Sequence, residues 1–168
     1  DSILKAFKLI KDNRPTIYKL LEYKQIGSEN INLIKLADKL KIKEKCNFLG
    51  NVEDWRVHLY NTDFILAPSF EEGLNLAVVE SSAFGIIPIL SKRKCLLEHS
   101  RLGNNVLWFD DIDPYSIYQK LISLEKYTNL DIKNMQKEIS RNAYLHYSSE
   151  KLIPKLLKIY NNAITKLN

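Results

Sequence analysis

The run Pro68-Ser69-Phe70-Glu71-Glu72-Gly73-Leu74-Asn75, followed by Leu76-Ala77-Val78-Val79-Glu80, gathers residue types that handle sugars and phosphates. Carboxylates accept hydrogen bonds from hydroxyl groups. A helix beginning near Asn75 offers free backbone N–H groups and the positive end of its dipole to an anion. Gly73 lets the backbone approach a ligand closely. Glu72 stands before that helix and Glu80 lies two turns inside it, so the two carboxylates can take hydroxyl groups on either side of a diphosphate held at the helix end. A plainer reading makes Glu71 and Glu72 solvated acids that favour the helix dipole, with Glu80 on the helix surface. Glu80 weighs against it: among Ala77, Val78, Val79, Ala83 and Phe84 a carboxylate is expected to be partly buried and to need a partner.

The other candidates carry less. Asp111-Ile112-Asp113 spells an acid pair that can hold a metal and a diphosphate, but Asp113-Pro114 is better explained as a helix start, an N-cap followed by Pro at the first helical position. His58, His99 and His146 are far apart and show no metal-ligand spacing, so no metal is expected. Cys46 and Cys95 lie in no C-x-x-C and have no His beside them, which excludes a disulfide framework or zinc module and fits a reducing compartment. Lys92-Arg93-Lys94 falls on a loop after an apolar strand, where it can meet a phosphate, an acidic lipid or only water. Trp55 and Trp108 are expected to pack.

The elements that must position these residues alternate along the chain. Ile3, Leu4, Phe7, Leu9 and Ile10 recur at helical spacing behind a Ser2 cap, and Asp12-Asn13-Arg14-Pro15 ends that helix. Residues 16–26 mix β-branched and aromatic residues with Leu before Gly27-Ser28, which predicts a strand and a turn. A helix over 30–40, a strand over 46–50 and a helical stripe over 54–60 follow. Residues 63–68 are a compact apolar run of the kind covered on both faces, and 76–84 form a helix closed by Gly85. Residues 86–90 and 105–109 predict two more buried strands, and after Asp113-Pro114 three helical stretches run to the end. The alternation implies right-handed crossovers and an α/β fold: a Rossmann-like, doubly wound parallel sheet with helices on both faces. In such a sheet the ligand lies beyond the carboxyl ends of the strands, which selects the 68–75 loop.

Length and composition agree with a single unit. The chain has 168 residues, 45% hydrophobic and 27% charged, with five Gly and five Pro, enough for a core and too few turn formers for a low-complexity chain. No apolar run approaches the roughly 20 residues of a membrane helix, and no internal repeat or linker divides the chain. The net charge of +5 favours an anionic partner without naming it. Nucleic acid fits poorly, because no recognition helix or base-stacking pattern accompanies the basic residues. The chain starts at Asp1 inside a helical pattern, as expected for a piece of a larger protein.

Taken in order, Asp1-Ser2-Ile3-Leu4-Lys5-Ala6-Phe7, Phe48-Leu49-Gly50-Asn51-Val52, Tyr60-Asn61-Thr62-Asp63-Phe64-Ile65-Leu66-Ala67-Pro68-Ser69 and Glu72-Gly73-Leu74-Asn75-Leu76-Ala77-Val78-Val79-Glu80 resemble consecutive blocks of the C-terminal domain of family 4 glycosyltransferases. The family's signature is Glu, seven residues, Glu, and its GT-B fold pairs two Rossmann-like domains. The resemblance implies that residues 1–168 are the nucleotide-sugar donor domain, truncated at its N-terminal strand, with the acceptor domain outside the chain. It implies an enzyme that transfers a hexosyl group from a UDP- or GDP-sugar to a glycan or lipid-type acceptor, retaining and metal-independent, with no cofactor beyond the donor. The setting it implies is bacterial polysaccharide biosynthesis, cytoplasmic or peripheral at the inner face of the membrane.

By the same resemblance Glu72 contacts the transferred sugar, Glu80 binds the ribose hydroxyls, and the amides of Gly73, Leu74, Asn75 and Leu76 hold sugar and diphosphate. Asn51 and Val52 flank the base. The family's diphosphate-clamping Arg and Lys would precede Asp1. This sequence also departs from the pattern: the Gly-rich turn after the second strand is reduced to Gly27, the usual Gly-Phe-Gly is Gly73-Leu74-Asn75, and Ser91-Lys92-Arg93-Lys94 replaces a Gly-rich loop. Those departures motivate an alternative, a sugar-nucleotide or phosphate-binding module without turnover.

Overall fold

The computed structural model describes residues 1–28 and 30–165. Five short strands alternate with helices in the predicted α/β order: β1 (Tyr23–Gln25), β2 (Cys46–Phe48), β3 (Phe64–Ala67), β4 (Ile87–Ser91) and β5 (Leu107–Phe109). All pairings are parallel. Among the described residues the ladders form two groups, β1 with β2 and β3-β4-β5, and no backbone ladder joins them. Side chains of both groups nevertheless share one core, in which Tyr23 and Phe48 pack with Phe64 and Leu66 around the buried Ile89.

β4 shows how the layers form. Every residue of Ile87–Ser91 is buried, and successive side chains of a strand point to opposite faces. Ile89 enters a core with Leu4, Phe7 and Ile10 of α1 (Ser2–Asn13) and Ile117 and Leu121 of α5 (Pro114–Ile122). Its neighbour Leu90 enters a second core with Val78 of α4 (Leu76–Ala83), Leu96, Leu102, and Ile139 of α6 (Asn129–Tyr147). Helices therefore cover both faces of the sheet, as the alternation implies.

Local differences have identifiable causes. Residues 16–26 are not one strand, because Pro15 occupies the first position of α2 (Pro15–Leu20), where its missing N–H and fixed φ suit a helix start. Tyr18 of that helix is buried, and its hydroxyl donates to Glu44 at 2.8 Å. Ser2 does not cap α1: Asp1 takes the N-cap position, and Ser2 Oγ donates to the Ile112 carbonyl at 3.3 Å. The stripe over 54–60 is a 3-10 helix at Trp55–Leu59, and a longer one, Lys94–Leu102, follows β4 where no helix is expected, burying Leu96, His99 and Leu102 at three-residue spacing. The remaining α-helices among the described residues are α3 (Ile31–Lys39) and α7 (Ser149–Thr165). No described residue of α7 is buried, and Leu152, Ile153, Leu156 and Leu157 are exposed. No helix among the described residues is long and apolar enough to cross a membrane.

Candidate functional site

The 68–75 loop leaves the carboxyl end of β3 and enters α4 through Asn75, whose side chain accepts from Val78 N at 3.2 Å. That cap satisfies one first-turn donor and leaves the N–H groups of Leu76 and Ala77 without helical partners. Glu72 is exposed, and its carboxylate accepts from Ser69 Oγ at 2.9 Å. The Ser69 carbonyl in turn accepts from Ser91 Oγ at 2.9 Å, so the last residue of β4, fully buried, fixes the base of the loop. A Cβ built on Gly73 meets nothing within 4 Å, and its φ is not in the left-handed region. The loop therefore presents open space rather than a tight turn at that point.

Glu80 is exposed, which corrects the expected partial burial. The reason lies in which side of α4 packs. The helix buries Val78, Ser81 and Ser82, one stripe at i, i+3 and i+4, and at about 100° per residue Glu80 stands nearly opposite that stripe. Leu76, the first residue of α4 and one turn before Glu80 on the same outer side, is also exposed, so Glu80 lies one turn inside the helix rather than the expected two. With Phe70 and Leu74 it adds apolar surface around the carboxylates, a feature the motif did not announce. Exposed apolar side chains beside an open loop are suited to cover a ligand.

The structure thus brings Glu72, Gly73, Leu74, Asn75, Leu76 and Glu80 together on one loop and helix. Asn51 and Val52 follow β2 of the other ladder, after a turn in which Gly50 has φ +63° and its carbonyl accepts from Gly27 N at 2.9 Å. Asn51 is exposed and Val52 half-buried, and no hydrogen bond links them to the Glu72 loop among the described residues. Trp55 packs edge-on against Phe84 at the end of α4, with ring centres 6.1 Å apart.

Of the remaining candidates, Asp113 and Cys46 serve the fold. Asp113 caps α5 by accepting from Tyr115 N at 2.7 Å and Ser116 N at 3.1 Å. Asp110 and Asp111 face the basic loop, with Lys92 to Asp110 at 3.6 Å and Arg93 to Asp111 at 3.8 Å. Cys46 is buried in the first core, and burial pushes its thiol up to about 11. His99 is fully buried with neither ring nitrogen hydrogen-bonded among the described residues, and burial holds its pKa below the usual value.

A capped helix N-terminus with two exposed carboxylates beside it thus stands at the carboxyl end of a parallel sheet in an α/β protein. The chain belongs to the glycosyl transferases group 1 family, whose model matches residues 1–146. It is 28% identical over 136 residues to the O-antigen biosynthesis glycosyltransferase WclY of Escherichia coli, covering 81% of this chain and 37% of that protein. It is 32% identical over 108 residues to an uncharacterized glycosyltransferase of Haemophilus influenzae, covering 61% and 30%. Among solved structures, HepE of Anabaena in complex with UDP superposes with a TM-score of 0.80 at 12% identity, covering 96% of this chain and 44% of that one. A glycosyltransferase of Rickettsia africae gives 0.78 at 18% identity, covering 97% and 44%. These neighbours have the GT-B fold. The chain spans less than half the length of the relatives it matches.

Proposed function

We propose that this chain is the nucleotide-sugar-binding domain of a retaining, metal-independent family 4 glycosyltransferase, and that it passes a hexosyl group to a glycan or lipid-linked acceptor bound by a second domain. The observation that carries the reading is the pair Glu72 and Glu80 around the open N-terminus of α4. The exposure of Glu80 supports it, since a ribose needs a carboxylate it can reach. The grouping of the ladders supports the domain assignment. A sheet of order 3-2-1-4-5-6 that lacks its first strand is left as 3-2 and 4-5-6, and here β2-β1 and β3-β4-β5 are the two groups.

In this mechanism Glu80 accepts the ribose hydroxyls and Glu72 orients the sugar ring. The bond from the anomeric carbon to the diphosphate oxygen breaks while the acceptor oxygen bonds to that carbon. The Leu76 and Ala77 amides at the helix end receive the negative charge that develops on the departing diphosphate. The acceptor hydroxyl enters on the face that the diphosphate leaves and passes its proton to the departing diphosphate oxygen; acceptor recognition and much of the remaining machinery belong to the other domain, so this chain alone binds donor without turnover. The relatives' bacterial sources and the O-antigen name of WclY favour a bacterial cell-surface glycan.

Calorimetric titration with UDP and GDP, with and without EDTA, tests the reading. Binding of at least one nucleotide, unchanged by EDTA, is expected, with UDP first because HepE was solved with it. Binding that required Mn²⁺ or Mg²⁺ would overturn metal independence, and no binding of either nucleotide would overturn the site.

A further inference from the structure

We propose that Arg93 binds an oxyanion of the substrate, in the first place the diphosphate of the nucleotide-sugar; the proposal rests on the donor-domain reading above.

Three contacts fasten the segment that carries Arg93 to the segment that carries Glu72. Ser91 Oγ donates to the Ser69 carbonyl at 2.9 Å, Cys95 Sγ donates to the Phe70 carbonyl at 3.6 Å, and the Arg93 guanidinium lies over the Phe70 ring at 5.6 Å from its centre. Ser69 also holds the Glu72 carboxylate, so one short stretch of chain positions both the acid and the guanidinium. Arg93 leaves the carboxyl end of β4, the strand between β3 and β5, where ligands of parallel sheets lie.

The guanidinium makes a ring contact and a long ion pair, but among the described residues no group accepts a hydrogen bond from its buried Nε. Its one carboxylate neighbour among the described residues, Asp111, stands 3.8 Å away, too far for a hydrogen bond, and is itself largely exposed. The Arg93 side chain is 40% exposed, so part of its donor fork faces solvent beside the loop. A planar guanidinium matches the paired oxygens of phosphate or carboxylate, and stacking on a ring limits its orientations. Lys92 differs: it is more exposed and lies 3.6 Å from Asp110.

Two sources supply such an oxyanion, the donor's diphosphate and a phosphate of the acceptor, and the test separates them. The chain and its Arg93→Ala and Arg93→Lys variants are titrated with uridine, UMP, UDP and inorganic phosphate, with melting temperatures recorded alongside. For Arg93→Ala the expected result is about a tenfold or larger loss of UDP affinity with uridine unchanged. Arg93→Lys should recover part of it, because an ammonium keeps the charge but not the fork. Unchanged UDP affinity with a lost response to phosphate moves the oxyanion to the acceptor and overturns the diphosphate assignment. Equal losses for uridine and UDP make Arg93 a structural residue and overturn the proposal. A chain that binds GDP and not UDP is titrated with the guanosine series in the same way, and failure of the unmodified chain to bind either nucleotide instead overturns the donor-domain reading itself.

Discussion

The loops after β3 and β4 leave neighbouring parallel strands in the same direction, yet they are built in opposite ways. The first is open: Phe70, Glu71, Glu72, Gly73 and Leu74 are all exposed, and Gly73 has free space on its Cβ side. The second starts from the fully buried Ser91 and returns at once to the core through Leu96, His99 and Leu102. Side chains that keep their polar groups in water remain available to a ligand, whereas side chains that leave water must be satisfied by packing. Substitutions in the first loop should therefore register in binding, and substitutions around the second in stability. Arg93 is where the two meet.

The largest effect should come from the scaffold beneath the second loop. Leu90 is fully buried between β3 and β5 in the second core, and Leu90→Ala should cost about 2–5 kcal/mol in urea unfolding. A cost below about 1 kcal/mol would break the contrast, because it would mean that β4 does not anchor the loop that follows it.

The carboxylates come next. Glu80→Ala should weaken binding of a nucleoside diphosphate by roughly 1.5–3 kcal/mol for each charge-assisted hydrogen bond lost, with little change in melting temperature, since Glu80 is exposed. Glu72→Ala should weaken binding of the intact nucleotide-sugar while barely changing affinity for the bare diphosphate. Equal losses in both variants for both ligands would make the acids supports of the loop.

A smaller effect separates the loops by pH. Burial lowers the pKa of His99, with Glu98 opposing that shift only partly, so the folded state favours the neutral ring. Below about pH 6.5 the unfolded chain binds a proton that the folded chain resists. Stability is therefore present above that pH and falls as pH drops, with a slope of at most about 1.4 kcal/mol per pH unit for one proton. At the alkaline end, Tyr23 and Cys46, raised by burial to about 12 and about 11, favour the neutral groups, so stability is lost as pH rises past their ordinary values near 10 and 9. Thermal melts from pH 5 to 8 should show the acid slope, and His99→Leu should flatten it. An unchanged slope in that variant would assign it to other groups.

What the sequence disclosed follows the same division. The apolar run 86–90 and the Asp113-Pro114 start were legible because each is decided locally, by composition on both faces of a strand or by a cap and a fixed φ. The Glu72–Glu80 segment was legible because its residues are contiguous. Tyr18 was not, since Thr16, Ile17 and Tyr18 have strand-like side chains and only Pro15 at the first helical position turns them into α2. The exposure of Glu80 was hidden for a related reason: α4 buries Ser81 and Ser82 and leaves Leu76 and Phe84 outside, so hydrophobicity points to the wrong face. Which loops share an edge, and which ladders pair, depends on contacts far apart in sequence.

The smallest stability change tests the open loop most directly. Gly73 and Gly85 stand at the two ends of the segment that carries α4, and they are glycine for different reasons. Gly85 has φ +83°, and a Cβ there would lie 3.2 Å from the Gln136 carbonyl, so Gly85→Ala strains the backbone and crowds α6. Gly73 has neither constraint. Gly73→Ala should leave stability within about 1 kcal/mol of the unmodified chain, or raise it slightly by restricting the unfolded state. If the space beside Gly73 is where the sugar and diphosphate approach, the added methyl projects into it and nucleotide-sugar affinity should fall while melting is unchanged. Unaltered affinity for both UDP and the nucleotide-sugar would show that the ligand does not pass close to this backbone, and the amide contacts assigned to Gly73 and Leu74 would have to be given up while Glu80 and the helix end remained.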